Sequence, residues 1–134
     1  MMAPSAINLR PWEFVVVKDK QKFNEIIQVQ PYTKMLLTAS LCIVVCALPE
    51  LQSGLAKDYF PQDCAAATQN ILLQAVELGL GTCWCGVYPM KERVEGLRKV
   101  LDVTSTPFSV IAVGVPDEVC EPRGFFDPAK VKYI

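Results

Sequence analysis

A chain of 134 residues, just over half of them apolar, is sized for one compact core, so a single domain over residues 1–134 is expected. Its net charge of −1 and its thirteen scattered basic residues give no electrostatic footprint for nucleic acid or an anionic membrane. The most apolar run, residues 35–48, is shorter than the roughly 20 residues a spanning helix needs and reads as buried core, and with no export signal at the amino terminus a cytoplasmic location is expected.

In chain order, residues 13–17 are bulky and β-branched and stop at Lys18-Asp19-Lys20, which predicts a short strand. From Asp19 the spacing of Phe23, Ile26 and Ile27 predicts an amphipathic helix that ends before Pro31. Residues 41–47 form a continuous apolar run of strand length, as expected for a central strand covered on both faces. A polar stretch over residues 49–62, with Gly54 and Pro61, reads as a surface loop. Asp63 then reads as the N-cap of a helix that continues to Leu78 and stops at Gly79. That helix is apolar almost all round, which points to the middle of a domain or to a subunit interface. After Gly79-Leu80-Gly81 and a short Cys-Trp-Cys segment, a second helix is predicted over residues 90–101, with Val94, Leu97 and Leu101 on one face. Residues 109–115 read as a last buried strand, and the tail from Pro116, with three prolines, reads as irregular. Strands alternating with helices argue for an α/β or α+β layered domain.

Six cysteines without an export signal are expected to be free thiols. Cys42-x3-Cys46 and Cys83-x-Cys85, with Cys64 and Cys120 isolated, fit no standard zinc or iron–sulfur spacing, and histidine is absent, so no metal site is expected. A cysteine-based metal or redox protein ranks last among the readings. The absence of histidine also removes Ser/His/Asp chemistry, and no GxGxxG or GxxxxGK[ST] loop is present. A chain so equipped is suited to a cofactor that brings its own reactivity, which the protein binds, orients and tunes.

Three segments could serve one. Residues 3–12, which include Pro4, Ser5, Ala6, Asn8 and Arg10, pack prolines, small residues and hydrogen-bonding side chains just ahead of a strand, a composition that a local turn explains equally well. Residues 79–86 place Cys83, Trp84, Cys85 and Gly86 after a glycine turn, and the plainer alternative is a helix cap followed by a buried strand. Val113-Gly114-Val115-Pro116 ends a strand ahead of Arg123, which could equally be a solvated surface arginine.

The pattern Ala3-Pro4-Ser5-x-x-Asn8-x-x-Pro11-Trp12 is similar to the P-S-x-x-N-x-Q-P-W cofactor loop of the nitroreductase family, with Arg10 in place of the usual glutamine. The helix from Asp63 running into Gly79-Leu80-Gly81-Thr82-Cys83-Trp84 resembles that family's helix and its G-L-G-[ST]-x-W turn, and residues 113–116 resemble its closing strand. The resemblance implies a mixed or antiparallel sheet flanked by helices, dimerised through the residue 63–78 helix. It implies FMN as cofactor and NAD(P)H as donor of hydride, passed on to a nitroaromatic, quinone or similar acceptor. Ser5 and Asn8 would hydrogen-bond the flavin, in a site completed by the other subunit of a homodimer. Cys83, Trp84, Cys85 and Gly86 would lie beside the ring, and Arg123, with Arg10 as a possible helper, would contact the phosphate. Typical members begin with a further helix and an R-x-S-x-R phosphate-binding segment not found here, so the chain reads as an amino-terminally truncated member. A cofactor-poor, non-catalytic dimer subunit of the same fold is the alternative.

Overall fold

A computed structural model describes residues 1–119, 121 and 124–134. Strand β1 (Trp12–Val17) leads into helix α1 (Lys20–Val29), whose start is set by Asp19: its carboxylate accepts from the Gln21 N–H. A run of 3-10 turns, Pro31–Leu37, brings the chain to β2 (Leu41–Ala47). Further short turns precede helix α2 (Phe60–Glu77), then β3 (Gly81–Gly86), helix α3 (Lys91–Leu101) and β4 (Thr106–Gly114).

The strands form one antiparallel sheet in the order β1-β2-β4-β3, with β2 and β4 inside and β1 and β3 at the edges. The expected α+β class is therefore observed, with the sheet wholly antiparallel. Interior position explains why β2 and β4 are the most continuously apolar strands: both of their faces are covered. The β2–β4 register shifts between Val45 and Cys46, opposite Pro107, where a bulge tolerates a residue with no N–H to give the ladder.

Alternation along the strands divides the interior in two. On one face Cys42, Val44 and Cys46 of β2, Cys85 of β3, and Val110 and Ala112 of β4 pack with Phe23 and Ile26 of α1 and Val94 and Leu97 of α3. Helices α1 and α3 approach closely at Gly96, where an added Cβ would stand 2.6 Å from a Val29 methyl. On the other face Val45, Ala47, Phe108, Ile111 and Val113 pack with Cys64 and Ala67 of α2, whose alanines let it lie close to the sheet. Thr68 fixes that contact, bonding the Cys64 carbonyl at 2.8 Å and standing 3.1 Å from the Ser109 hydroxyl.

The structure corrects two helix and strand bounds. Helix α2 begins at Phe60, with Pro61 in its first turn, so Asp63 is inside the helix rather than capping it. Strand β4 begins at Thr106, three residues before the apolar run that the sequence shows, because Pro107 sits at the bulge instead of stopping the strand.

Candidate functional site

The first candidate segment is a tight loop at the amino-terminal end of α2. Ile7, Asn8 and Arg10 have φ of 51°, 56° and 52°, a left-handed conformation uncommon for residues with a side chain. Ser5 Oγ accepts from the Arg10 N–H at 2.8 Å, and Asn8 Oδ1 accepts from Arg10 Nε at 3.1 Å. The two polar residues thus do serve local structure, yet no hydrogen bond among the described residues engages the Asn8 amide nitrogen or the Ser5 hydroxyl proton. Pro4, Asn8 and Arg10 are exposed, with Ser5 and Ala6 half-buried. The Ala6 N–H donates to Asp63 Oδ1 at 2.9 Å.

The second segment is edge strand β3 and the turn after it. Trp84 and Gly86 point to the α2 face, and Cys83 and Cys85 to the α1/α3 face, where the Cys85 thiol donates to the Tyr32 carbonyl at 3.2 Å. Burial, with Cys83 nearby adding to it, pushes the Cys85 thiol up to about 11, so it stays protonated and weakly nucleophilic near neutral pH. Any contact of this strand with a ligand on the α2 face comes from backbone, from Trp84 or from the empty side of Gly86, and not from the thiols. Trp84 is 37% exposed, too open for a core tryptophan, and its ring lies 6.3 Å from that of Phe108. Tyr88, just past the strand, stacks over Phe108 at 6.3 Å and meets the Phe60 ring edge-on at 5.1 Å. A Cβ built on Gly86 meets nothing within 4 Å, which leaves an open place beside the backbone.

Both segments converge on the first turn of α2, the loop through Asp63 and the end of β3 through Phe60. No hydrogen bond among the described residues joins the two segments directly. Arg123 lies outside the described residues. Sequence reasoning missed the group that fixes Gly86. Gln30, 1% exposed, donates from Nε2 to the Gly86 carbonyl, and Arg93, whose guanidinium lies 5.4 Å over the Tyr32 ring, approaches the same oxygen at 3.5 Å. Gln30 stands just before Pro31 and reads locally as the end of a helix, so nothing in its neighbourhood announces a reach of 56 positions. Among the described residues no three of His, Cys, Asp and Glu gather where they could share a metal ion, and no helix is long and apolar enough to cross a membrane.

A helix-flanked antiparallel sheet thus presents a polar loop and an open glycine beside aromatic rings. The sequence model of the nitroreductase family matches residues 27–115, and the chain belongs to that family. It is 42% identical over 133 residues to a protein of Methanothermobacter thermautotrophicus provisionally named NADH dehydrogenase/NAD(P)H nitroreductase, an alignment covering 98% of this chain and 69% of the relative. A similarly named crystal structure from Parabacteroides distasonis superposes with a TM-score of 0.91 at 35% identity, over 99% of this chain and 78% of that one. An FMN-dependent nitroreductase of Clostridium difficile superposes with a TM-score of 0.87 at 32% identity, covering 98% and 80%.

Proposed function

We propose that this chain binds FMN at a homodimer interface and acts in the cytoplasm as an oxidoreductase, passing hydride equivalents from NAD(P)H to a nitroaromatic, quinone or similar acceptor. The observation that carries the reading is the convergence of the polar loop and the Gly86 end of β3 on one turn of α2, in a chain related to a protein named FMN-dependent.

The residues present fit the cofactor. A flavin ring offers carbonyl oxygens and ring nitrogens as acceptors, and the loop holds the uncommitted Asn8 amide and Ser5 hydroxyl as donors. A flat ring needs close approach to backbone, and Gly86 leaves that space open. Arg10 brings a guanidinium that among the described residues is bound only through Nε, leaving its other N–H groups for an anion such as a phosphate. When bound, FMN supplies the hydride-accepting and hydride-donating chemistry. The chain's part is to orient the ring through Asn8 and Ser5, to wall it with Trp84 and Pro4, and to keep the Gly86 peptide rigid through Gln30 and Arg93. No side chain of this set needs to exchange a proton.

A second copy is supported by the α2 face. Leu73, Val76 and Leu78 are more than half exposed there, beside an apolar groove of about 670 Å³ lined by Phe14, Ile43, Ile71 and Leu80 among others. The tail adds exposed Phe125, Phe126, Tyr133 and Ile134.

Titration with FMN, followed by flavin fluorescence while light scattering reports assembly, tests the proposal. Micromolar or tighter binding by a dimer is expected, and a dimer that ignores FMN would favour the non-catalytic alternative. Gly86→Val separates folding from binding. The chain has room for the side chain, so thermal stability should be close to that of the parent while FMN occupancy falls at least about tenfold. Full FMN occupancy in that variant removes Gly86 from the site.

A further inference from the structure

The loop of residues 5–10 closes on itself through a 3-10 turn, the Asn8 N–H donating to the Ser5 carbonyl at 3.0 Å and the Leu9 N–H to the Ala6 carbonyl at 3.1 Å, but none of these bonds fastens it to α2. Three of its residues sit in left-handed conformations that oppose L side chains, and the Ser5 and Asn8 bonds to Arg10 are exposed to water, which competes for them. Apart from the Trp12 N–H, which donates to the Arg10 carbonyl at 2.8 Å where the loop enters β1, its one hydrogen bond to the rest of the fold among the described residues is the 2.9 Å bond from the Ala6 N–H to Asp63 Oδ1. Asp63 is 5% exposed, and its second oxygen accepts from Gln52 Nε2 at 2.7 Å in a buried contact. Neither bond serves the helix that carries Asp63: one reaches back to residue 6, the other to residue 52. The first turn of α2 is a favourable place for this charge, since unpaired helix N–H groups and the helix dipole both favour an anion there. A charged acceptor also makes the Ala6 bond stronger than a neutral one would.

We propose that Asp63, steadied by Gln52, is a positioning residue that holds the loop in the shape that presents Asn8 and Ser5 to FMN. The inference rests on the FMN reading above. It adds that the loop is preset, so that binding need not order it. Gln52 bears the mark of this role: the amide is turned to give its N–H to Asp63, which leaves its buried Oε1 without a partner among the described residues.

Variants at Asp63, Val94, Gln52 and Asn8 and two readouts test it: FMN affinity by fluorescence titration, and hydrogen exchange at the Ala6 amide in the FMN-free protein. Asp63→Ala should weaken FMN by about tenfold and speed Ala6 exchange. Asp63→Asn should restore both, because asparagine can accept from Ala6 and, once the Gln52 amide turns over, donate to its unpartnered Oε1. Val94→Ala, in the core on the far side of the sheet, should lower the melting temperature and leave both readouts unchanged. Should Asp63→Ala fail to fold, Gln52→Leu takes its place, with FMN weakened several-fold, roughly threefold, as the supporting result. Unchanged affinity in the Asp63→Ala or Gln52→Leu protein, with Asn8→Ala weakened, overturns the proposal and leaves the FMN reading standing. Unchanged affinity in the Asp63 and Asn8 variants alike overturns the reading of the loop, and the proposal with it.

Discussion

The two faces of the sheet are finished to different degrees. Under α1 and α3 the centre of the interior is tightly packed: Phe23, Ile26, Leu36, Val87 and Leu97 are at most 1% exposed, and the helices touch at Gly96 with no room for a methyl. Under α2 the strands are covered only along the helix's small residues, while Leu73, Val76 and Leu78 face outward beside an open groove. The polar loop and the open side of Gly86 also belong to this second face. The closed face needs nothing more than its own chain, whereas the open face carries the features that a ligand and a second copy would complete.

The largest effect that would test this comparison is in the closed core. Leu97→Ala should cost about 3 kcal/mol in chemical denaturation, by lost transfer energy and a cavity the packed helices cannot collapse, with FMN affinity unchanged. A loss below about 1 kcal/mol would mean that this face is looser than its burial indicates.

Next in size, residue for residue, is alkaline pH. Burial pushes the Cys42 thiol up to about 12 and the Cys46 thiol to about 11 on the closed face, and the Cys64 thiol to about 12 under α2, from an ordinary 9.0. The unfolded chain therefore loses these protons first. Stability should be level below pH 9 and fall as pH rises towards 11, by about 1 kcal/mol per thiol per pH unit, in urea melts across that range. Replacing Cys42 or Cys64 by alanine should reduce the slope by similar amounts. A slope that ignores Cys64 would show that water reaches beneath α2.

The smallest effect is on the outer stripe of α2. Val76→Glu should change the stability of the monomer by no more than about 0.5 kcal/mol, since the side chain is 71% exposed. The same charge placed in an apolar interface should dissociate the dimer in light scattering. Dimers that persist would move the interface away from this stripe.

The secondary structure was largely legible along the chain because its causes are local. The period of Phe23 and Ile26 from Asp19 onward, the apolar run of Leu41–Ala47 and the Gly79 stop each act within a few residues, and each stands where it was read. The same locality misled at Asp63, which has the composition of a cap while its carboxylate is committed to residues 6 and 52. It also placed the start of the last strand at residue 109, whereas β4 begins at Thr106 and carries Pro107 beside a bulge whose extra residue is Phe108. Of the candidate site, residue motifs marked the loop and the Gly86 turn, and resemblance supplied a ligand for them. The tertiary structure alone decided that both meet one turn of α2, that Gln30 and Arg93 hold the Gly86 carbonyl, and that Cys83 and Cys85 face away from α2. Composition and periodicity, set by neighbours in the chain, determine which elements form. Contacts between residues 56 or 57 positions apart, such as Gln30 with Gly86 and Ala6 with Asp63, depend on how the sheet stacks those elements, and no local pattern encodes that.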